Sequence, residues 1–305
     1  MTTANRDVHG ALASISDEYE VVRRLHAVPP HAVYEVTIDG TRAVCKVARG
    51  QRADPAAEAR VIARIGRTTS VPVPEVLAVG EDWFVAEWRD GLPGEATADA
   101  ERARVMGAGL ATLHAETAGS FAATGFPRDA GDALAVDARD SWHETVCDLL
   151  ADRRDYLAAF GYSEVADAAL TFVRERPDLL DGAGDPVLTH GNYLPEHVAA
   201  EDGEVTCVVD WEHALVAPGE YDYWRTALPL QSEAEPTERD AVLAAFREGY
   251  ESVRPLPEGF ERRGEIYRLI NAVSYLKALH LQRQQTGQEK ARTAAAFREY
   301  VYDTV

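Results

Sequence analysis

Residues 188–225 read LTHGNYLPEHVAAEDGEVTCVVDWEHALVAPGEYDYWR, and this run decides what kind of fold holds the chain. Within eight residues it carries His190, Asn192 and His197, three groups able to take part in chemistry. Two short β-like runs then flank Asp202-Gly203, a dipeptide suited to the two central positions of a hairpin turn. That turn makes Glu201 face Glu204, His197 face Val208 and Asp210 face Pro195. His197 and Asp210 then become diagonal neighbours on one face, roughly 7 Å apart or less. Asp210 ends an otherwise apolar strand, VTCVVD. The plainer reading is a capping aspartate beside a hydrogen-bonded core histidine. Further on, Glu220 and Asp222 sit among tyrosines. Burial there suits Asp222 to a structural task, accepting backbone amides of the His190 loop.

Working back from this run, the first eighty-odd residues read as strands around one helix. Residues 20–28, 31–39 and 41–49 are short and β-branched, and Asp39-Gly40 is a second hairpin dipeptide. Asp54 is a good N-cap with Pro55 at the first helical position, and Val61, Ile62 and Ile65 give an apolar helical face. Two more strands follow, in VPVPEVLAVG and WFVAEW. Lys46 shares one strand face with Val44 and Ala48, while Glu58 falls on the buried stripe of the helix. An unpaired charge there would be costly, so Lys46 and Glu58 are expected to pair. A surface ion pair of little worth is the bland alternative. The PPHAVY turn, residues 29–34, lies where a phosphate-covering loop would, although it lacks glycine.

Beyond Glu87 the pattern turns helical, over residues 101–116, 141–160, 164–176, 239–253, 265–284 and near 290–302. Residues 119–140 read as a long surface loop, and the only β segment expected in this half runs from about His197 to Asp210. The fold class is therefore α+β. A β-rich lobe spans residues 1–87 and a helical lobe residues 88–305, with a ligand cleft between them.

Bulk composition bounds the function. The 305 residues carry a net charge of −20, and Lys46, Lys277 and Lys290 are the only lysines among 31 basic residues. Such an acidic surface repels phosphate backbones, so nucleic acid is not expected as a partner. It resembles an adaptation to a salty cytoplasm. The three cysteines are far apart and lack metal spacing, which suits a reducing interior. No apolar run approaches the roughly 20 residues a membrane span needs, and the first residues lack the features of a secretory signal. A cytoplasmic protein with no membrane partner is expected; oligomeric state is not legible.

Taken together, AVCKVA, AAEARVIARI, SVPVPEVLAVG, FVAEWRDGLPGE, MGAGLATLHAE and the 188–225 run resemble the aminoglycoside phosphotransferase and choline kinase-like family. The resemblance spans about Val21 to Tyr250 and implies a two-lobed protein-kinase-like fold. It implies that Lys46, held by Glu58, contacts the α- and β-phosphates of ATP, and that the backbone of Ala86, Glu87 and Trp88 meets the adenine. It implies that Asp210 ligates Mg²⁺, His190 braces the catalytic loop and Asp222 supports it from below. Position 192 corresponds to the catalytic base and position 197 to a second metal ligand. Both depart from the family's Asp and Asn: Asn192 cannot accept a proton at neutral pH, and Mg²⁺ prefers oxygen to the nitrogen of His197. Asp210 alone, Asp210 helped by Glu196, or a nitrogen-tolerant ion such as Mn²⁺ would answer the second departure.

The leading expectation is ATP-dependent phosphoryl transfer to a hydroxyl of a small-molecule acceptor, weakened by Asn192. A nucleotide-binding pseudokinase with a regulatory or scaffolding role is the second, and a metallohydrolase built from His190, His197, Asp210 and His213 the third.

Overall fold

Strict alternation along residues 41–48 splits one strand between two environments, and the N-terminal sheet is built around it. A computed structural model describes residues 8–50, 52–92, 97–131, 133–281 and 285–305. A short helix α1 (Val8–Leu12) precedes strands β1 (Tyr19–His26), β2 (His31–Ile38) and β3 (Thr41–Ala48). Helix α2 (Pro55–Thr68), β4 (Val76–Val79) and β5 (Trp83–Glu87) complete an antiparallel five-stranded sheet of order β1-β2-β3-β5-β4. The β2–β3 hairpin turns at Asp39 and Gly40, both left-handed with φ of 48° and 75°, as the dipeptide requires. Ala43, Cys45 and Val47 pack with Val8, Ala11, Leu12, Trp83 and Val85 on one side of the sheet. Lys46 points to the other side, opposite Phe84 in the ladder.

Asp54 caps α2, its Oδ1 accepting the Ala57 amide at 3.0 Å, with Pro55 in the first turn. The helix buries Glu58 along with Val61, Ile62 and Ile65, which join the main core.

The C-terminal region contains helices α3 (Ala100–Thr117), α4 (Trp142–Leu157), α5 (Ser163–Arg174), α6 (Gly219–Glu233), α7 (Arg239–Glu251), α8 (Phe260–Leu281) and α9 (Gly287–Thr304). Helices α3 and α7 approach closely through two glycines, since a Cβ on Gly107 would strike the Phe246 carbonyl and one on Gly249 the Arg104 carbonyl. Expected helix ends are met within a few residues. The tip of the 265–284 expectation, residues 282–284, and the end of the hinge stretch, Pro93 to Glu95, lie outside the described residues. Among the described residues no helix is long and apolar enough to cross a membrane.

Three expectations need correction. Residues 119–140 are not a plain loop: β6 (Gly125–Asp129) and β7 (Leu134–Ala138) form a hairpin. It extends a four-stranded sheet, β7-β6-β11-β8, with β8 (Pro186–Thr189) and β11 (Leu215–Pro218), so the helical half carries more β structure than one segment. Five-residue strands interrupted by Pro127 and edged by glycine and aspartate give too little alternation to read. Helix α6 falls outside the helical stretches expected from the sequence; Pro229 lies inside it, and its first turn holds Asp222. In the hairpin of β9 (Val198–Glu201) and β10 (Glu204–Val208), Glu204 faces Glu201 as expected, but a bulge between Val205 and Cys207 shifts the register. Val208 therefore faces Val198 rather than His197.

Candidate active site

The site is assembled where the end of β8, the end of β10 and the inner faces of β3 and α2 meet. His190 follows β8 and is fully buried. Its Nε2 donates to the Val209 carbonyl at 3.0 Å and its Nδ1 accepts the Asn192 amide at 3.2 Å. Burial holds the ring at about 4, well below an ordinary histidine, so it is neutral with a defined tautomer. Both nitrogens are thus engaged, and His190 cannot join the four-residue metal set that includes His213.

Asp222, in the first turn of α6, holds this loop by its main chain. Its carboxylate accepts the His190 amide at 2.6 Å and the Gly191 amide at 2.9 Å. His114 from α3 reaches the same carboxylate through Nε2 at 3.3 Å, and its Nδ1 meets the Tyr250 hydroxyl of α7 at 2.9 Å. Burial would raise the Asp222 carboxyl, but His114 and the loop amides outweigh it and hold it below the ordinary aspartate range. Gly191 takes φ of 73°, and a Cβ there would collide with the His213 carbonyl. Two constraints, left-handed backbone and no room, therefore require glycine at this turn.

Asn192 comes next. Its carbonyl accepts His197 Nδ1 at 2.9 Å and the Leu194 amide at 2.9 Å. The backbone is thereby tied down while the carboxamide has no intramolecular bond among the described residues. With Nδ1 donating to a carbonyl, His197 turns Nε2 toward Asp210 Oδ2, 3.4 Å away. The expected His197–Asp210 pair therefore meets, although the register that was to deliver it does not hold. The Val209 amide bonding to the His197 carbonyl at 3.0 Å brings the two strands together beyond the bulge. Asp210 itself adopts φ of 65°, an uncommon conformation for a non-glycine residue.

Lys46 lies at the centre of the charge system. Its Nζ is 2.8 Å from Glu58, 2.9 Å from Asp210 and 2.8 Å from Glu212. Glu212 also meets His31 Nδ1 at 2.8 Å and, through its other oxygen, His213 Nε2 at 3.5 Å. Burial would depress Lys46, but the three carboxylates outweigh it and raise the ammonium well above the lysine norm. Burial likewise opposes ionisation of Asp210, yet Lys46 holds it down to about 2. Glu58 is pushed up, first by burial, with Asp210 and Glu212 adding repulsion. Three carboxylates around one ammonium leave an excess of negative charge, a donor set that fits a divalent cation. Among the described residues the compact set of ligand atoms, all within 4.8 Å of one another, is His31, Glu58 and Glu212. His31 and Glu212 were not singled out from the sequence. Glu212 could have been found, because it lies two residues beyond Asp210 in the Asp-Trp-Glu run; His31 had only its place in the PPHAVY turn.

The expected adenine-facing backbone lies at the end of β5. Ala86 faces Val44 and Val76 in the ladders, and the Glu87 amide donates to the Glu75 carbonyl at 2.8 Å. The Trp88 ring lies under Arg42 at 3.7 Å, and its Nε1 donates to Asp90 at 2.8 Å.

A buried lysine gripped by a helix glutamate, set against an aspartate that closes a β-hairpin and a histidine-led loop, defines a small-molecule phosphotransferase of protein-kinase-like fold. The profile of the Phosphotransferase enzyme family matches residues 13–256, and the chain belongs to that family. Among solved structures it is similar to a Thermobifida fusca YX-ER1 protein assigned as a fructosamine-3-kinase, at 20% identity and TM-score 0.67, covering 97% of this chain and 99% of that one. It is also similar to a thermostable mutant aminoglycoside phosphotransferase in ternary complex with ADP and hygromycin B, at 16% identity, 98% coverage of both chains and TM-score 0.67. A macrolide 2′-phosphotransferase from Brachybacterium faecium aligns at 21% identity, 95% coverage of both chains and TM-score 0.54. Comparison with curated proteins returns no match.

Proposed function

We propose that the protein moves the γ-phosphoryl group of ATP to a hydroxyl of a small acceptor, with chemistry slowed by Asn192. The observation that carries this reading is the three-way junction in which Lys46 joins Glu58 of α2 to Asp210 at the end of the catalytic hairpin. A structural ion pair needs only two partners. A third partner, a carboxylate from the opposite side of the cleft, makes sense when the ammonium and that carboxylate act on one ligand. ATP would lie between residues 1–87 and 88–305, with the backbone at Ala86, Glu87 and Trp88 along its adenine. Relatives in complex with ADP or AMP-PNP support a nucleotide there.

In this reading Lys46, oriented by Glu58, binds the α- and β-phosphates, as a compact cation with three donors can. Asp210 and His197 Nε2 are the groups that would hold a divalent cation, Mg²⁺ or the more nitrogen-tolerant Mn²⁺, with Glu212 adjacent. Such an ion, when bound, neutralises charge on the phosphates. His190 and Asp222 keep the loop in place. The Asn192 carboxamide oxygen accepts a hydrogen bond from the acceptor hydroxyl and orients it. The bond from the acceptor's hydroxyl oxygen to γ-phosphorus forms as the bond from γ-phosphorus to the β–γ bridging oxygen breaks. ADP leaves, and the hydroxyl proton passes to solvent because Asn192 cannot take it. General-base help is commonly worth about 10²–10⁴-fold, so turnover is expected but slow. Asn192 itself favours a second reading, a nucleotide-binding pseudokinase.

The test is ADP release at high salt with Mg²⁺ or Mn²⁺ and a panel of acceptors, on wild type, Asn192→Asp and Asp210→Ala. Slow turnover that rises at least tenfold in Asn192→Asp and vanishes in Asp210→Ala is expected. ATP binding without turnover in any variant would establish the pseudokinase, and absence of ATP binding would sink both readings.

A further inference from the structure

Helices α4 and α6 both pack against α8 and bring cations with them, and α6 reaches the His190 loop. Arg225 of α6 is 9% exposed, and its Nε donates to the Gly191 carbonyl, one residue from Asn192. Its Nη1 faces Asn271 Oδ1 at 3.4 Å, and its Nη2 has no partner among the described residues. Arg153 of α4 is 8% exposed, with Tyr221 beside it. Among the described residues neither arginine forms an ion pair with a carboxylate. Lys277 of α8 meets Asp152 at 3.0 Å, and Arg52, from the segment leading into α2, meets the same carboxylate at 2.9 Å. One half-exposed aspartate therefore faces Arg52, Arg153 and Lys277, with Arg225 beyond. The Tyr156 ring lies beside Arg52 and Lys277, at 5.5 and 5.3 Å.

This concentration of positive charge occurs in a chain of net charge −20 with three lysines. A buried guanidinium cannot shed its charge, and leaving it without an anion is costly. The neighbours register the strain: burial depresses Arg153, with Arg225 adding to it, and burial depresses Lys277, with Arg153 adding to it. A purely structural role accounts for the bond from Arg225 to the loop carbonyl. It leaves Arg153 unexplained, along with the gathering of two further cations, Arg52 and Lys277, on the single carboxylate of Asp152.

We infer that the acceptor is an anion, a hydroxyl-bearing small molecule whose carboxylate or phosphate is received by Arg153, Arg225 and Lys277 while its hydroxyl reaches Asn192. The inference rests on the phosphotransfer reading and narrows it. Guanidinium and ammonium groups bind both acid groups through charge-assisted bonds. A polycation such as hygromycin B would meet like charge on this wall.

The test uses the full chain loaded with AMP-PNP and Mg²⁺, with nucleotide affinity measured first. Binding of glycerate, gluconate and glycerol 3-phosphate is then compared with glycerol, glucose and hygromycin B, in wild type, Lys277→Met and Arg153→Met. At least one acid is expected to bind more tightly than its neutral counterpart, and its Kd to rise about tenfold or more in Lys277→Met. Nucleotide affinity should stay unchanged in that variant. Carboxylate probes that outcompete the phosphate probe assign the acid group, and the reverse order assigns the other. The inference is overturned if none of the three acids binds, if the acid binds Lys277→Met as tightly as wild type, or if glycerol, glucose or hygromycin B binds best. Failure of nucleotide binding overturns the phosphotransfer reading instead. Lys277 is partly exposed, so its variant stays folded even where Arg153→Met does not.

Discussion

Replacing Asp222 by Asn changes one oxygen to an amino group at the residue that holds the His190 loop. Asp222 is fully buried and its carboxylate accepts two backbone amides, from His190 at 2.6 Å and Gly191 at 2.9 Å. A carboxamide can accept one of them; its amino group then points at the other, donor against donor. A buried donor left unsatisfied costs about 1–3 kcal/mol, and converting the surviving bond from charged to neutral about 1 kcal/mol more. The expected loss is therefore about 2–4 kcal/mol, a drop in Tm of roughly 3–6 °C for a chain of this length. The pH dependence carries the sign. His114 and the loop amides hold the folded-state carboxyl below its ordinary value. Its contribution is then fully present above the unfolded aspartate value, about 3.9, and is lost as pH falls through the folded value. The gap between wild type and Asp222→Asn should persist from pH 5 to 8 and close in acid, where the wild-type carboxyl also carries a proton. Thermal melts across pH, at constant high salt, read both quantities. A variant melting within a degree of wild type at pH 7 would refute the claim that this carboxylate holds the loop.

Lys46→Met strands three carboxylates that now share one ammonium. Unfolding by denaturant should show a loss of about 3 kcal/mol or more, eased by proton uptake on Glu58, and calorimetric titration should show nucleotide affinity falling at least tenfold. Gly191→Ala demands a left-handed alanine whose Cβ meets the His213 carbonyl. Turnover with saturating ATP should fall by more than tenfold while nucleotide affinity stays within about twofold, because the damage is confined to the loop. In His190, ring protonation would break the bond from the Asn192 amide. NMR titration should therefore find the ring neutral down to about pH 4, and a value near an ordinary histidine would mean that the ring is not buried as described.

How much of this was legible in the sequence differs by element. Lys46 and Glu58 could be paired from parity and helical spacing alone, because a buried charge has few ways to be satisfied. Asp54, Pro55 and the Asp39-Gly40 turn are local rules, and they hold. The His197–Asp210 proximity was right for a partly wrong reason: a bulge at Val205–Cys207 has no composition signal, and backbone bonds beyond it restored the approach. Helix α6 is hard to read because Pro218 stands at its start and Pro229 inside it, and the β6–β7 hairpin because its strands are too short to alternate. The cation cluster was illegible for a different cause. Arg52, Arg153, Arg225 and Lys277 come from four separated segments, and only tertiary packing shows that they share one wall.

The His190 loop is held by its main chain, through Asp222, His190 and the Asn192 carbonyl, and the side chain at position 192 makes none of these bonds. Asparagine and aspartate codons differ by a single base. One point mutation therefore separates the carboxamide from a carboxylate at this position, and the main-chain bonds that hold the loop are the same in both.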